Sequence, residues 1–147
     1  MNLQDLNIVL ADDDSDDCFF FEEAVTTFIP PANFTAVHDG EQLMKLLGDE
    51  TNKLPDVLFL DLNMPRKNGF ECLTEIKKHE KLKHLPVVIF STSHSYDDIN
   101  ITFKTGSDIY VRKPSNYEQL LQLIQHALPM AAENIATKGK LKYILNA

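Results

Sequence analysis

The chain has 147 residues, a hydrophobic content of 44% and a formal net charge of −8, and its length fits one domain with a real core. The acidic balance argues against a protein that binds a phosphate backbone, because such proteins need a basic stripe, and no apolar run approaches the roughly 20 residues of a membrane helix. We therefore expect neither direct contact with nucleic acid nor membrane insertion.

A group of acids follows directly after the first predicted strand. It is the apolar run IVLA at residues 8–11, and three consecutive carboxylates follow it, namely Asp12, Asp13 and Asp14. The residues that come next, Ser15 and further acids, are types that favour the N-terminus of a helix. The sequence therefore predicts a strand, an acidic turn and a helix in that order.

The first predicted helix runs to about Phe28 and stops before Pro30-Pro31. Its apolar residues form one stripe at helical spacing, which comprises Cys18, Phe21, Ala24, Val25 and Phe28. Phe20 falls at the edge of this stripe, and Phe19 falls nearly opposite it. Both a wide core face and a docking surface near the acids explain these two aromatic residues.

Strands and helices alternate along the rest of the chain. The further predicted strands lie at residues 33–38, 57–60, 87–90 and 109–112, and the further predicted helices lie at about 41–47, 70–80, 96–105 and 116–128. Five strands that alternate with five helices predict an α/β fold, a doubly wound five-stranded parallel sheet with helices on both faces. The helix at 96–105 is rich in poor helix formers and should be the most labile.

The last predicted helix closes the domain. Its inward residues are predicted to be Tyr117, Leu120, Leu121, Ile124 and Leu128. Leu123 lies off this stripe, and Pro129 should interrupt or kink the helix. We predict a single domain over residues 1–128 and a C-terminal extension over 129–147, with no separate output domain.

The two cysteines indicate the compartment. Cys18 and Cys72 lie in separate predicted helices without the spacing of a metal site, and nothing at the N-terminus resembles a signal peptide. This combination predicts reduced thiols and a soluble, cytoplasmic protein.

The strand at residues 57–60 ends abruptly in Asp61, and Asn63 and Met64-Pro65 follow it. Open α/β sheets keep their chemistry at the carboxyl ends of the strands, so Asp61 should share one edge with the acids that follow the first strand. Carboxylates that lie close together raise each other's pKa, which is costly unless a cation lies among them. Mg²⁺ suits a site of a few carboxylates and water.

Two further polar side chains follow strands at the same edge, namely Ser91 and Lys113. Acids, a hydroxyl and a lysine together form a site for a metal and a phosphoryl group. In such a site Asp61 can attack phosphorus as a nucleophile, while the metal, Ser91 and Lys113 offset charge on the transferring oxygens. Pairing with the phosphoryl group is the only purpose that the sequence suggests for Lys113.

Four motifs in register carry a resemblance to a known family. They are Asp12-Asp13, Asp61-Leu62-Asn63-Met64-Pro65, Ser91 and Lys113-Pro114. In this order they resemble the receiver domain of two-component response regulators, the chemotaxis-regulator fold, over residues 6 to about 128. The resemblance implies a flavodoxin-like sheet in strand order 2-1-3-4-5. It also implies that Asp61 is the phosphoacceptor, which takes its phosphoryl group from a sensor histidine kinase or a phosphotransfer protein.

The same resemblance implies a set of ligands for the metal. Asp13, Asp61 and the backbone carbonyl of Asn63 would hold Mg²⁺, and Asp12 would act mainly through water. The long linker before Pro86 and the STS sequence at 91–93 resemble more closely the stand-alone regulators associated with bacterial phytochromes than the chemotaxis protein.

The resemblance also implies a switch and a control of dephosphorylation. Ser91 would be the switch hydroxyl that moves to the phosphoryl oxygen, and Tyr110 would be the aromatic residue that turns inward behind it. Dephosphorylation in this family depends on the residues two after the phosphoacceptor and two after the switch hydroxyl, here Asn63 and Ser93. Serine positions a water less firmly than an amide or a carboxylate does, so we expect a long-lived phosphorylated state.

Two rival functions fit the sequence less well. An aspartyl-phosphate hydrolase of the haloacid-dehalogenase type usually has a second acid two residues after its nucleophile, where this chain has Asn63, and it has a cap domain. A flavin-binding flavodoxin-like module would have a loop rich in hydroxyls and glycine after the first strand, where this chain has acids. We therefore expect a phosphoacceptor signalling protein, not an enzyme that turns over small phosphate esters.

The signal would leave through protein contacts with an unknown downstream protein. The fourth helix, fifth strand and fifth helix form a candidate surface, with the apolar tail segment LKYIL at 141–145 alongside. A homodimer or a partner contact on this surface is one explanation of the tail, and a loose tail is the other.

Overall fold

The computed structural model describes residues 2–93, 95–137 and 143–145. Its strands are β1 (Asn7–Ala11), β2 (Asn33–Val37), β3 (Val57–Leu60), β4 (Val87–Ser91), β5 (Ile109–Arg112) and β6 (Tyr143–Leu145). Its helices are α1 (Ser15–Phe28), α2 (Gly40–Gly48), α3 (Gly69–Lys78), α4 (Tyr96–Thr105) and α5 (Tyr117–Thr137), and a short 3-10 helix (Leu3–Asp5) precedes β1. Within the described ranges, no helix combines the length and the apolar composition that crossing a membrane requires.

The strands form one parallel sheet in the order β2-β1-β3-β4-β5-β6. The predicted order 2-1-3-4-5 of the first five strands is confirmed. Strand β6 is an addition that the sequence pattern does not predict, and its backbone pairs with residues 109–111 at the edge of the sheet. Residues 141 and 142, the start of the predicted tail segment, lie outside the described residues.

Helices cover both faces of the sheet, and alternate side chains of the inner strands enter opposite cores. Leu10 and Phe59 face a core that α1 and α5 cover. Val9 and Leu58 face a second core, which α2, α3 and α4 cover. Burial on both faces accounts for the near-continuous apolar runs of the inner strands, and it confirms the predicted doubly wound arrangement.

Helix α1 begins directly after the acids of β1. Asp14 caps it by accepting hydrogen bonds from the backbone N–H groups of Asp16 and Asp17, which fixes the direction of the first turn. Phe19 and Phe20 are 59% and 45% exposed, so the explanation that they extend the core face is wrong. A docking role for these two rings stays a prediction.

Helix α5 corrects two expectations. It continues through Pro129 to Thr137, so the proline does not end it. Leu123 is buried and Leu121 only partly so, which makes the predicted stripe wrong at Leu123. The buried face of the helix comprises Leu120, Leu123, Ile124, Ala127, Leu128 and Ala131. Two small alanines belong to this face where α5 packs against α1 and the sheet, and alanine gives little hydrophobic signal in a sequence.

The turn between β3 and α3 brings two backbone segments into close contact below the acids. Gly69 opens α3, and its N–H donates to the carbonyl oxygen of Leu62 at 3.0 Å. A Cβ on Gly69 would collide with the backbone carbonyl of Asp61. We expect Gly69→Ala to lower the free energy of unfolding by about 1–3 kcal/mol, because the end of β3 has to shift. Urea unfolding measures this loss.

The matched control is Gly48→Ala, because no atom of the described residues lies within 4 Å of a Cβ at that position. Alanine there should leave the free energy of unfolding unchanged or raise it by up to about 1 kcal/mol. Superimposable unfolding curves for wild type and Gly69→Ala would contradict the close approach.

Candidate functional site

The acids that the sequence places after β1 and β3 lie together at the carboxyl edge of the sheet. The Asp61 N–H donates to the Ala11 carbonyl at 2.9 Å, so β1 and β3 end side by side. Asp12 is 0% and Asp61 4% exposed, whereas Asp13 is exposed. One carboxylate oxygen from each of the three lies within 4.8 Å of the other two. The predicted acid cluster therefore exists as a compact group.

Lys113 enters this cluster from the end of β5. Its backbone N–H donates to the carbonyl of Ser91 at 2.9 Å, which fixes the start of the side chain. Its Nζ lies 2.8 Å from Asp12 Oδ2, 2.7 Å from Asp17 Oδ2 and 3.5 Å from Asp61 Oδ2. Lys113 therefore already has three carboxylate partners, contrary to the expectation that only a phosphoryl group would engage it.

Asp17 is a site residue that the sequence analysis misses. It lies in the first turn of α1, where acids are common simply because they stabilise a helix N-terminus. That ordinary explanation hides its second role as a partner of Lys113. No signal in the sequence distinguishes this role from the ordinary preference for acids at a helix N-terminus.

The charges in the cluster do not balance. Burial raises the pKa of Asp61 to about 6, with a contribution from the negative charge of Asp12 and against the opposing charge of Lys113. Burial likewise raises the pKa of Asp12. Burial would lower the pKa of Lys113, but the carboxylates of Asp12 and Asp17 hold it above its usual value. One ammonium thus faces three carboxylates, and Asp13 adds a fourth acid beside Asp12 and Asp61, which favours the binding of a further cation.

The donor atoms fit a hard divalent cation. Asp12 Oδ2 is fully buried, and among the described residues its one ion-pair partner is the ammonium of Lys113 at 2.8 Å. Asp13 is exposed and offers further oxygens to an incoming ion. Asn63, the predicted source of a carbonyl ligand, lies beside the cluster, and its N–H approaches Asp61 Oδ1 at 3.4 Å. All-oxygen donors of this kind suit Mg²⁺ or Mn²⁺.

The predicted switch residues lie in one connected network. Ser91 is fully buried at the end of β4, and its hydroxyl accepts a hydrogen bond from the Ser93 N–H at 3.2 Å. Tyr110 is also fully buried, and its hydroxyl donates to the Ser93 carbonyl at 2.9 Å. The Ser93 hydroxyl donates to Asp98 Oδ2 at 2.6 Å. Tyr110 is therefore inward, and the loop after β4 is tied to α4 through Asp98, which the sequence analysis misses.

The buried thiol of Cys18 lies behind the cluster and plays a structural part. It donates to the backbone carbonyl of Asp12 at 3.4 Å. Burial, together with the negative charge of Asp12, raises the pKa of this thiol to about 12. A protonated thiol is a poor nucleophile and a poor metal ligand.

The sheet order 2-1-3-4-5 and an acid, hydroxyl and lysine site at its carboxyl edge together define a receiver-type α/β domain. The sequence profile of the response regulator receiver domain matches residues 8–125. The chain belongs to the response regulator receiver family, and its function is therefore two-component signal transduction, in which a histidine kinase or phosphotransfer protein is the partner.

Three known proteins illustrate the likeness. The chain is 32% identical over 122 residues to the response regulator Rcp1 of Synechocystis, which covers 80% of this chain and 83% of Rcp1. The crystal structure of Mn²⁺-bound Rcp1 has a TM-score of 0.76 at 31% identity, over 82% of this chain and 89% of that one. The phosphorylated cyanobacterial phytochrome response regulator RcpA has a TM-score of 0.77 at 34% identity, over 92% and 97%.

The third is the transcriptional regulatory protein CpxR of Klebsiella pneumoniae, 32% identical over 82% of this chain. This chain spans only 48% of CpxR. The resemblance to receiver domains is thus confirmed, including the likeness to regulators that are associated with phytochromes.

Proposed function

We propose that Asp61 accepts a phosphoryl group from a sensor histidine kinase or a phosphotransfer protein. The observation that carries this proposal is a buried carboxylate at the end of β3, which lies 3.5 Å from the ammonium of Lys113 and among the other acids. An oxygen of Asp61 would form a bond to phosphorus while the bond from phosphorus to the donor breaks. The likeness to RcpA, which was solved in a phosphorylated form, supports this role.

Mg²⁺ is the ion that we propose for the site. Asp13, Asp61 and the Asn63 carbonyl would hold it, and Asp12 would act through water. When bound, the ion would offset negative charge on the transferring oxygens. The chain itself supplies the nucleophile on Asp61, a cation on Lys113 and a hydroxyl on Ser91.

Incubation with acetyl phosphate and Mg²⁺, followed by intact mass spectrometry, tests the proposal. We expect the chain to gain one phosphoryl mass without any kinase, because its own residues catalyse the transfer from a small donor. The same incubation in EDTA should give no gain. An unchanged mass in Mg²⁺ would contradict the proposed function.

We propose Ser91 and Tyr110 as the residues that transmit phosphorylation to the surface. The support is the network around Ser93, in which the loop after β4 contacts both Tyr110 and Asp98. Movement of the Ser91 hydroxyl towards a phosphoryl oxygen would break its bond with the Ser93 N–H. That change would shift the loop and, through Asp98, the start of α4.

The lifetime of the phosphorylated state gives a prediction about Ser93. Its hydroxyl is engaged with Asp98, so it is not free to orient an attacking water. We expect Ser93→Gln, whose amide can hold a water without adding charge next to Asp98, to speed the loss of the phosphoryl group by roughly tenfold. Intact mass against time after removal of the donor measures the decay. We propose that Ser93 and Asn63 together control dephosphorylation. A slower decay in Ser93→Gln would contradict the role of Ser93.

We propose that the surface formed by α4, α5 and the neighbouring edge of the sheet carries the output, as a homodimer or a contact with a downstream protein. Tyr96 and Ile101 on α4 are 79% and 50% exposed, which leaves apolar area for a partner. Two details change the predicted surface. Leu123 is buried in the core and does not contribute, and β6 lies beside β5, whose edge is therefore already paired.

Light scattering with and without beryllofluoride tests the homodimer. We expect wild type to shift from monomer towards dimer when Asp61 carries beryllofluoride, and we expect Ile101→Glu to stay monomeric, because a charge there would have to be desolvated. Phe19→Glu is the matched control on α1, 59% exposed but outside the surface, and it should dimerise as wild type does. Wild type that is monomeric under both conditions would leave only the contact with a downstream protein.

Three further proposals concern the kinase, the C-terminal extension and the cellular location. We propose that the kinase is associated with a phytochrome, as the name of RcpA indicates for that protein. We also propose that residues 129–147 are an extension of the receiver domain, since α5 continues to Thr137 and β6 (Tyr143–Leu145) pairs with β5. A cytoplasmic location stays a prediction, supported by two buried free cysteines.

A further inference from the structure

The strongest directional contact of Lys113 is with Asp17 and not with the predicted phosphoacceptor. The Nζ donates to Asp17 Oδ2 at 2.7 Å and reaches Asp61 Oδ2 only at 3.5 Å. The Nζ also forms an ion pair with the buried Asp12 Oδ2 at 2.8 Å. A short charge-assisted bond is roughly twice as strong as a neutral one, so Asp17 and Asp12 together fix where the ammonium lies, and Asp17 holds it on the side away from Asp61.

The position of Asp17 is itself fixed. Its backbone N–H donates to the side chain of Asp14, the cap of α1, at 3.1 Å, which orients the first turn towards the site. The carboxylate of Asp17 is 36% exposed, whereas the side chain of Lys113 is 9% exposed. The ammonium also lies 5.4 Å from the centre of the Phe90 ring, which limits its movement on that side. A half-exposed acid therefore draws a buried cation away from a buried nucleophile.

We propose that Asp17 is a positioning residue that holds Lys113 away from Asp61 in the resting protein. This inference rests on the proposed function of Asp61. With the ammonium on Asp17, the Asp61 carboxylate keeps a weak partner and stays available to attack phosphorus. Once Asp61 carries a phosphoryl group, Lys113 has to leave Asp17 to pair with it. Asp17 thus opposes the switched state. Phosphorylation must supply the free energy that separates Lys113 from Asp17.

The resting contact can be tested without metal or phosphoryl donor. Nitrogen-15 NMR of lysine side chains should show the Lys113 ammonium in wild type, because a held ammonium exchanges its protons slowly. We expect Asp17→Asn to shift or broaden this signal and Asp17→Glu to restore it. Asp16→Asn removes the same charge from the neighbouring residue, which makes no ion pair with Lys113 among the described residues, and it should leave the signal unchanged. An unchanged signal in Asp17→Asn would overturn the inference.

The effect on the switch is tested by beryllofluoride affinity in Mg²⁺. Because Lys113 would no longer have to leave a partner, we expect Asp17→Asn to bind beryllofluoride about three- to tenfold more tightly than Asp16→Asn does. In a Lys113→Met background the two substitutions should have equal effects. Weaker binding by Asp17→Asn would mean that Asp17 prepares Lys113 for the phosphoryl group, and it would overturn the inference.

The outcomes separate the two proposals. Wild type that binds no beryllofluoride would contradict the proposed function of Asp61, whatever the ammonium signal shows. Wild type that binds beryllofluoride while Asp17→Asn and Asp16→Asn bind it equally would contradict only the role of Asp17.

Discussion

Asp61→Asn should gain no phosphoryl group under conditions in which wild type gains one. An amide oxygen is a far weaker nucleophile than a carboxylate, and no other described acid is buried at the end of β3 next to Lys113. Intact mass after incubation with acetyl phosphate and Mg²⁺ measures the gain. Asp16→Asn is the control, because it removes an acid from the same edge but should be labelled as wild type is. Equal labelling of Asp61→Asn and wild type would contradict the assignment.

The same substitution should stabilise the metal-free protein. The pKa of Asp61 is raised to about 6 in the folded state, by burial and then by Asp12, whereas its ordinary value is 3.8. Protonation of Asp61 therefore favours the folded state, and this contribution is fully present below about pH 4 and lost as the pH rises through about 6. Asparagine avoids that loss. We expect Asp61→Asn to raise the free energy of unfolding by about 2–3 kcal/mol at pH 7.5 in EDTA, with little difference near pH 4.

Urea unfolding at the two pH values measures this effect. Mg²⁺ should stabilise wild type more than Asp61→Asn, because the variant has lost one charged ligand. A variant that is less stable than wild type in EDTA at pH 7.5 would show that the Asp61 charge is compensated in the resting protein.

The acid cluster could be predicted from sequence because each member directly follows a recognisable strand. Parallel strands bring their carboxyl ends to one edge of the sheet. The strand pattern alone was therefore enough to predict that four side chains lie together, namely those of Asp12, Asp61, Ser91 and Lys113. Local periodicity carries that information. The near-continuous apolar runs of the inner strands likewise predicted that both faces of the sheet are buried.

The residues that sequence missed depend on how helices are rotated and where loops close. Asp17 and Asp98 both lie in the first turn of a helix, where an acid has an adequate local explanation, and only the packed structure aims them at Lys113 and Ser93. Leu123 was misplaced because the buried face of α5 also includes Ala127 and Ala131, which give little hydrophobic signal in a sequence. Strand β6 is three residues long, too short for a period of two to be recognised.

Lys113→Met should strongly destabilise the metal-free protein. Asp12 is fully buried, and Lys113 is its sole ion-pair partner among the described residues, so the substitution leaves a buried charge uncompensated and removes the cation nearest Asp61. Breaking a buried pair in this way typically costs about 3–5 kcal/mol. We expect a loss of that size in the free energy of unfolding by urea at pH 7.5 in EDTA. A loss of this size would not be expected if the only purpose of Lys113 were to pair with a phosphoryl group.

Mg²⁺ and a surface lysine provide the two controls for this loss. Mg²⁺ should recover part of the stability of Lys113→Met, because an ion among the same carboxylates replaces the missing positive charge. Lys67→Met removes an ammonium that pairs with Glu75 where both side chains are partly exposed, and it should change the free energy of unfolding by less than about 1 kcal/mol. If Lys113→Met unfolds in EDTA at the same urea concentration as Lys67→Met, the carboxylates of the site are neutralised by some other means, and Lys113 does not hold the resting cluster together.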